Sequence, residues 1–184
     1  MKLDKKSKIF ILTFFSMILI PIIIIGIINY TKERELQNKI ENSKTTKTLS
    51  LNNISTSITL DELFELESSQ EYTITDHELK FENDPNKKDF DIEYTNTTFY
   101  GGDCIKSYFF VDEKLKNCIF KVDISHWMPK DIYVELVKIN GEPDETDIDE
   151  DSFYLETYIW YGKNGTLSFD KCNNKTIEIM FQLE

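Results

Sequence analysis

A chain of 184 residues with 40% hydrophobic and 13% aromatic side chains is long and apolar enough for one packed domain, which excludes a disordered chain. Its net charge of −12 is split: residues 1–44 hold eight Lys/Arg and four Asp/Glu, whereas residues 45–184 hold thirteen Lys and twenty-nine Asp/Glu, a net of −16. A domain at −16 repels phosphate backbones, so nucleic-acid binding is disfavoured. The lack of Ala and the single Arg (Arg34), beside abundant Lys, Ile and Asn, read as the bias of an AT-rich bacterial genome.

Residues 1–8 form a basic tail with Lys2, Lys5, Lys6 and Lys8. Residues 9–28, IFILTFFSMILIPIIIIGII, carry no charge. Twenty residues make a helix of roughly 30 Å, the thickness of a bilayer's hydrocarbon core, so this segment reads as a transmembrane helix in contact with lipid. Its Thr13, Ser16, Pro21 and Gly26 are tolerated in membrane helices. Beyond the run, Lys32, Arg34, Lys39 and Lys44 are diluted by Glu33, Glu35 and Glu41. The denser positive charge before the run places the N-terminus in the cytoplasm and residues 29–184 outside. A cleaved signal peptide would have a shorter apolar region and a small-residue cleavage site, and neither is present, so the expectation is a retained signal anchor.

Residues 29–57 are expected to continue the helix to about Asn42 and then to form a flexible tether, SKTTKTLSLNNISTS, rich in Ser, Thr and Asn. An extracytoplasmic α+β domain is expected over residues 58–184, an antiparallel sheet with one or two short helices. Its first element is residues 59–67, where Thr59 and Glu62 match a capping box and Leu60, Leu63, Phe64 and Leu66 give an apolar stripe. A turn at residues 83–86 precedes strand patterns around Phe90–Ile92–Tyr94, then over residues 104–111 and 118–124. A second helix starts at Pro129 and stops at Asn140-Gly141. Residues 144–151 read as an acidic loop, residues 153–161 as a strand, residues 162–165 as a hairpin turn, and residues 166–169 and 176–181 as strands.

The two cycles share their order: helix, loop, strand, Gly turn, strand, polar turn, strand. Phe99-Tyr100-Gly101 echoes Trp160-Tyr161-Gly162, and Ile119 echoes Ile177, which suggests two tandem helix-plus-hairpin repeats. The second cycle, a helix ending near Gly141-Glu142-Pro143, an aromatic strand, Tyr161-Gly162 and a strand ending in TIEIMF, resembles a unit of β-lactamase-inhibitor-like and small outer-membrane-lipoprotein-like domains. This chain has Ile139-Asn-Gly-Glu-Pro143 where those families often have Leu-Gly-x-Pro. The resemblance covers about 55 residues and implies a non-enzymatic binding or scaffolding domain outside the cytoplasm; it transfers no catalytic residue.

No catalytic or cofactor motif is found: there is no CxxC, phosphate loop, HExxH or nucleophile elbow. Cys104, Cys118 and Cys172 read as buried small hydrophobes, with a disulfide left open and Cys104 at the far end of its hairpin from Cys118. His77 and His126 have no nucleophile arranged beside them in sequence. Asp147, Asp149 and Asp151 mimic the first ligands of a calcium loop, but Ser152 and Tyr158 stand where its Gly and Glu belong, leaving a solvated loop or a looser Ca²⁺ site. Tyr158 and Trp160 are candidate partner-binding anchors, although alternation puts them opposite Ile159 and Tyr161 and one pair should be core. The expected function is a non-enzymatic module binding a basic protein or peptide at the cell surface. The alternatives are a cell-envelope enzyme using Asp/Glu chemistry or a structural subunit of a membrane assembly.

Overall fold

A computed structural model describes residues 5–55, 57–68, 70–77, 89–124, 129–172 and 175–184. The side chains described within these exclude those before Met17 and those of residues 76, 77, 129 and 130. The expected turn at residues 83–86, His126 and the side chain of His77 lie outside the described residues.

The elements in chain order are α1 (Lys5–Thr46), α2 (Leu60–Leu66), β1 (Tyr72–His77), β2 (Asp89–Phe99), β3 (Gly102–Val111), β4 (Lys114–Asp123), α3 (Pro129–Asn140), β5 (Glu145–Ile148), β6 (Tyr154–Gly162), β7 (Gly165–Cys172) and β8 (Thr176–Leu183). The chain divides into two compact units, Met1–Glu41 and Asn42–Glu184. The first is helical from Lys5. Among the described residues, no helix is long and apolar enough to cross a membrane. The described side chains of α1 enter the apolar run only at Met17, leaving twelve residues of it, 17–28, within that description.

The second unit is an α+β domain built on one eight-stranded antiparallel sheet of order β1-β2-β3-β4-β8-β7-β6-β5. Each half of the sheet is a meander of four strands preceded by a helix, and the halves meet where β4 pairs with β8, from Asn117↔Gln182 to Asp123↔Thr176. Two strands were not anticipated. β1 lies before the first expected strand, and the acidic stretch expected as a loop contributes β5. The hairpin turns at residues 99–102 and 162–165 occupy matching places in the two halves, Phe99↔Gly102 and Gly162↔Gly165. The echo of Phe99-Tyr100-Gly101 in Trp160-Tyr161-Gly162 therefore falls two residues out of step. Ile119 and Ile177 lie on opposite faces, one half-exposed and one buried, so that echo carries no structural equivalence.

Alternation builds the core on one face of the sheet. Ile92, Tyr94, Tyr108, Phe110, Phe120, Val122, Ile177, Ile179, Phe181, Leu167, Phe169 and Trp160 point inward and are buried. Helix α2 covers them with Leu63; its capping box is formed, the Thr59 hydroxyl accepting from the Glu62 N–H while the Glu62 carboxylate accepts from the Thr59 N–H at 2.8 Å. Helix α3 covers them with Ile132 and Leu136, spaced four apart on one side of the helix.

The expected tether is corrected by the structure. Helix α1 runs to Thr46, and Leu49, Leu51 and Ile54 from the Ser/Thr/Asn-rich stretch are core residues, 1–3% exposed. Three apolar side chains with irregular spacing give no periodic signal, yet they suffice to seat the segment. Its backbone is held by two amides. Asn164 exchanges bonds with Leu49, accepting from its N–H and donating to its C=O, both at 2.8 Å. Asn140 does the same with Ser50 at 2.8 and 3.1 Å. Gly162 lets the segment approach: a Cβ there would stand 2.6 Å from Leu49 Cγ. Gly165 is required by its own turn, at φ +138° with the Gln182 carbonyl 2.0 Å from where a Cβ would be.

Candidate functional site

The sheet has one face packed on helices and core. Its other face includes three long cross-strand rows. One runs Asp91–Phe109–Asn117–Gln182–Thr166–Tyr161 and the next Glu93–Ser107–Ile119–Met180–Ser168–Ile159–Glu145. The third is Ile105–Lys121–Glu178–Asp170–Thr157–Asp147. Alternation dictates these rows, and in the central strands β3, β4, β7 and β8 most of their residues stand between buried neighbours. Phe109, Ile119, Met180, Ile159 and Tyr161 are only partly buried there, and Ile105 is exposed.

Those three rows hold six carboxylates, Asp91, Glu93, Glu145, Asp147, Asp170 and Glu178, against Lys121, which pairs with Glu178 at 3.6 Å. Thr157 and Ser168 hydroxyls donate to Asp170 at 2.7 and 2.9 Å, and Tyr161 donates to Glu145 at 3.2 Å. Burial and then the adjacent Glu145 push the Tyr161 hydroxyl above its ordinary pKa, so it is a neutral donor. Lys44 lies 5.3 Å from the Tyr161 ring centroid, over its face. The result is a mostly acidic surface with an apolar middle.

Trp160 was a candidate anchor for a partner, and the structure removes it. Its ring is 0% exposed and its Nε1–H donates to the Gly141 carbonyl at 2.7 Å, holding the end of α3 against the sheet. Tyr158 lies on the same covered side, its ring 4.4 Å from Tyr133 and 5.9 Å from Phe169. Of the two alternating pairs, Tyr158 and Trp160 are the core pair, because they stand opposite the apolar Phe169 and Leu167 of β7. Ile159 and Tyr161 are left on the other face. That cross-strand pairing was the signal that could have chosen between them.

The acidic stretch 144–151 also divides. Asp147 is exposed on β5, and Asp149 accepts from the Asp151 N–H at 3.0 Å in the following turn. Among the described residues, no group of three or more His, Cys, Asp or Glu side chains is placed to hold a metal ion. Asp144 is different: it is 4% exposed and accepts from Ser43 at 2.8 Å, Lys47 at 3.2 Å and the Tyr161 N–H at 3.0 Å. Burial works to raise its pKa, but those bonds outweigh it and hold the carboxyl below its ordinary value.

A second buried acid sits in the first half. Glu67, the C-cap of α2, accepts from Lys106 Nζ through both oxygens at 2.8 Å and from the Tyr108 hydroxyl at 2.6 Å. Glu67 and Lys106 are each 6% exposed, and Lys106 also lies 5.3 Å from the Phe120 ring centroid. Tyr94, edge-on to Tyr108 at 6.0 Å, has a hydroxyl with no partner among the described residues, and burial, then Glu67, push it up to about 12. These groups bind one another.

The three cysteines are free and buried. Cys104 pairs with Val122 and Cys118 with Tyr108 across the β3–β4 hairpin, which keeps the two thiols apart. Burial pushes both Cys104 and Cys118 up to about 12. Compared with protein-family models, curated proteins and solved structures, the chain matches none.

Proposed function

We propose that the chain is a single-pass membrane protein, anchored through residues 9–28 with its N-terminus cytoplasmic, whose extracytoplasmic domain is a non-enzymatic module for a basic protein or peptide. One observation carries the binding part: the six carboxylates that share a sheet face with partly exposed Phe109, Ile119, Met180, Ile159 and Tyr161. Apolar contact area at the middle and acidic groups around it suit a partner with an apolar patch rimmed by Lys or Arg. The two halves share the order helix then four strands, which supports a reading of tandem duplication despite the local echoes being out of step. The resemblance of the second half to β-lactamase-inhibitor-like and outer-membrane-lipoprotein-like units belongs to the same proposal.

The test uses the full chain in lipid nanodiscs and a labelled peptide with an apolar middle and lysines at both ends. Affinity is read by fluorescence anisotropy at two salt concentrations. The triple variant Glu93→Gln, Asp170→Asn, Glu178→Gln is expected to bind about tenfold more weakly and with a shallower salt dependence. Equal affinity for the variant and the parent refutes the assignment of this face. Protease added outside intact cells should digest the domain; protection would refute the orientation.

A further inference from the structure

The sheet has two edges, and they are protected to different degrees. β5 is four residues long, with Asp147 within it and Asp149, Glu150 and Asp151 following. A short, charged strand is the usual defence against unwanted pairing. β1 is six residues long, and residues 72–75, Tyr-Thr-Ile-Thr, carry no charge, no Pro and no Lys. Tyr72 and Ile74 are both 50% exposed. Alternate residues of an edge strand direct their N–H and C=O away from the sheet, and among the described residues no backbone bond outside the β1–β2 ladder reaches β1. A cleft of about 370 Å³ lined by Gln70, Glu71, Tyr72, Thr73 and Thr95 lies at the same edge.

We propose that β1 is a strand-addition site that takes an extended segment with apolar and basic residues in alternation. The two faces of the edge dictate that pattern. On the covered side, Tyr72 pairs with Tyr94 and Ile74 with Ile92, so an added strand meets half-exposed apolar side chains and gains by placing its own apolar residues there. On the other side, Thr73 pairs with Glu93 and Thr75 with Asp91. An added strand lies about 4.8 Å beyond β1, which brings the ends of Lys or Arg side chains over the two threonines to those carboxylates. Successive residues of a strand point to opposite faces, so the chemistry of each face is read by every second residue. A second copy of this chain fits poorly. Its β1 offers threonines where the edge favours lysines, and pairing would bring together two domains that each carry a net −16 over residues 45–184.

The test uses the full chain in nanodiscs and three blocked eight-residue probes: alternating Val-Lys, alternating Val-Glu, and Val-Lys methylated on alternate backbone nitrogens. Val-Lys is expected to bind and to protect β1 amides from hydrogen exchange. Removing backbone donors should weaken it by about tenfold or more. Thr73→Lys, which sets a like charge on the edge beside Glu93, should weaken it by roughly fivefold, while Met180→Lys on the sheet face should leave it unchanged. Three results would overturn the proposal. One is equal binding of the methylated probe, which would make the interaction one of charge alone. Another is protection of β4, β7 and β8 with loss of binding in Met180→Lys, which would place the probe on the sheet face. The third is concentration-dependent dimerisation of the chain that Thr73→Lys abolishes, which would make a second copy the occupant.

Discussion

Replacing Lys106 by Met tests the energetics of the first half at its most polar point. The substitution keeps the volume and the packing against Phe120 but strips the Glu67 carboxylate of two of its three bonds, leaving only the one from Tyr108. Glu67 stays 6% exposed in the parent fold and sits at the C-terminal end of α2, where the helix dipole disfavours negative charge. Leaving a buried charge without its partner costs about 3–5 kcal/mol, so the domain should lose that much stability. Glu67→Leu should cost about the same, because Lys106 then retains only the ring of Phe120. The combination Glu67→Leu, Lys106→Met, Tyr108→Phe removes the whole knot and leaves no new orphan, and should match the parent or exceed it by about 1–4 kcal/mol. Urea unfolding followed by tryptophan fluorescence and circular dichroism measures all of these. If Lys106→Met costs less than about 1 kcal/mol, the level of an exposed pair, the knot is not buried as described and the reasoning fails.

Three further outcomes follow from the same structure. The chain shortened to begin at Asn42 should fold, whereas a chain beginning at residue 58 should not. The latter lacks Leu49, Leu51 and Ile54, each contributing about 1.5–3 kcal/mol of burial, and a dispersed amide spectrum from it would refute their place in the core. Asp144 has a folded-state pKa below its unfolded value, so its contribution is present above about pH 4 and is lost as pH falls through the lower folded value. Asp144→Ala should therefore cost about 3 kcal/mol at neutral pH and progressively less in acid; a pH-independent cost would contradict the bonds to Ser43, Lys47 and Tyr161. Iodoacetamide at neutral pH should modify none of the three cysteines in the folded chain and all three in urea, read by mass spectrometry; rapid native labelling of Cys118 would contradict its 0% exposure.

Elements with a strict period were legible in the sequence. The capping box at Thr59 and Glu62, the stop at Asn140-Gly141 and the alternation of β3, β6 and β8 all appear where the residues placed them, whereas β4 begins at Lys114, four residues before the expected strand. What escaped depends on partners distant along the chain. Leu49, Leu51 and Ile54 have no period of their own and are recognised only by what they touch. β5 carries charges that read as a loop, and it is a strand because β6 pairs with it. Asp144 looked like one acid among many, yet Ser43, 101 residues earlier, makes it a buried acceptor. The choice between Trp160 and Tyr161 as the outward residue required knowing which strand lay alongside. Local propensity was available in the sequence; register was not.

The pairing of β4 with β8 has a consequence for how the domain is made. β8 is the last of the eight strands to be synthesised, yet it lies at the centre of the sheet. After β4 is complete, roughly sixty more residues must follow before β8 exists, which takes about 3–12 s at ordinary elongation rates. Throughout that interval the first half has an open edge bearing Cys118, Phe120 and Val122, the kind of surface on which chains of the same sequence aggregate. The half-built sheet is therefore the state that a holding chaperone would take as its substrate.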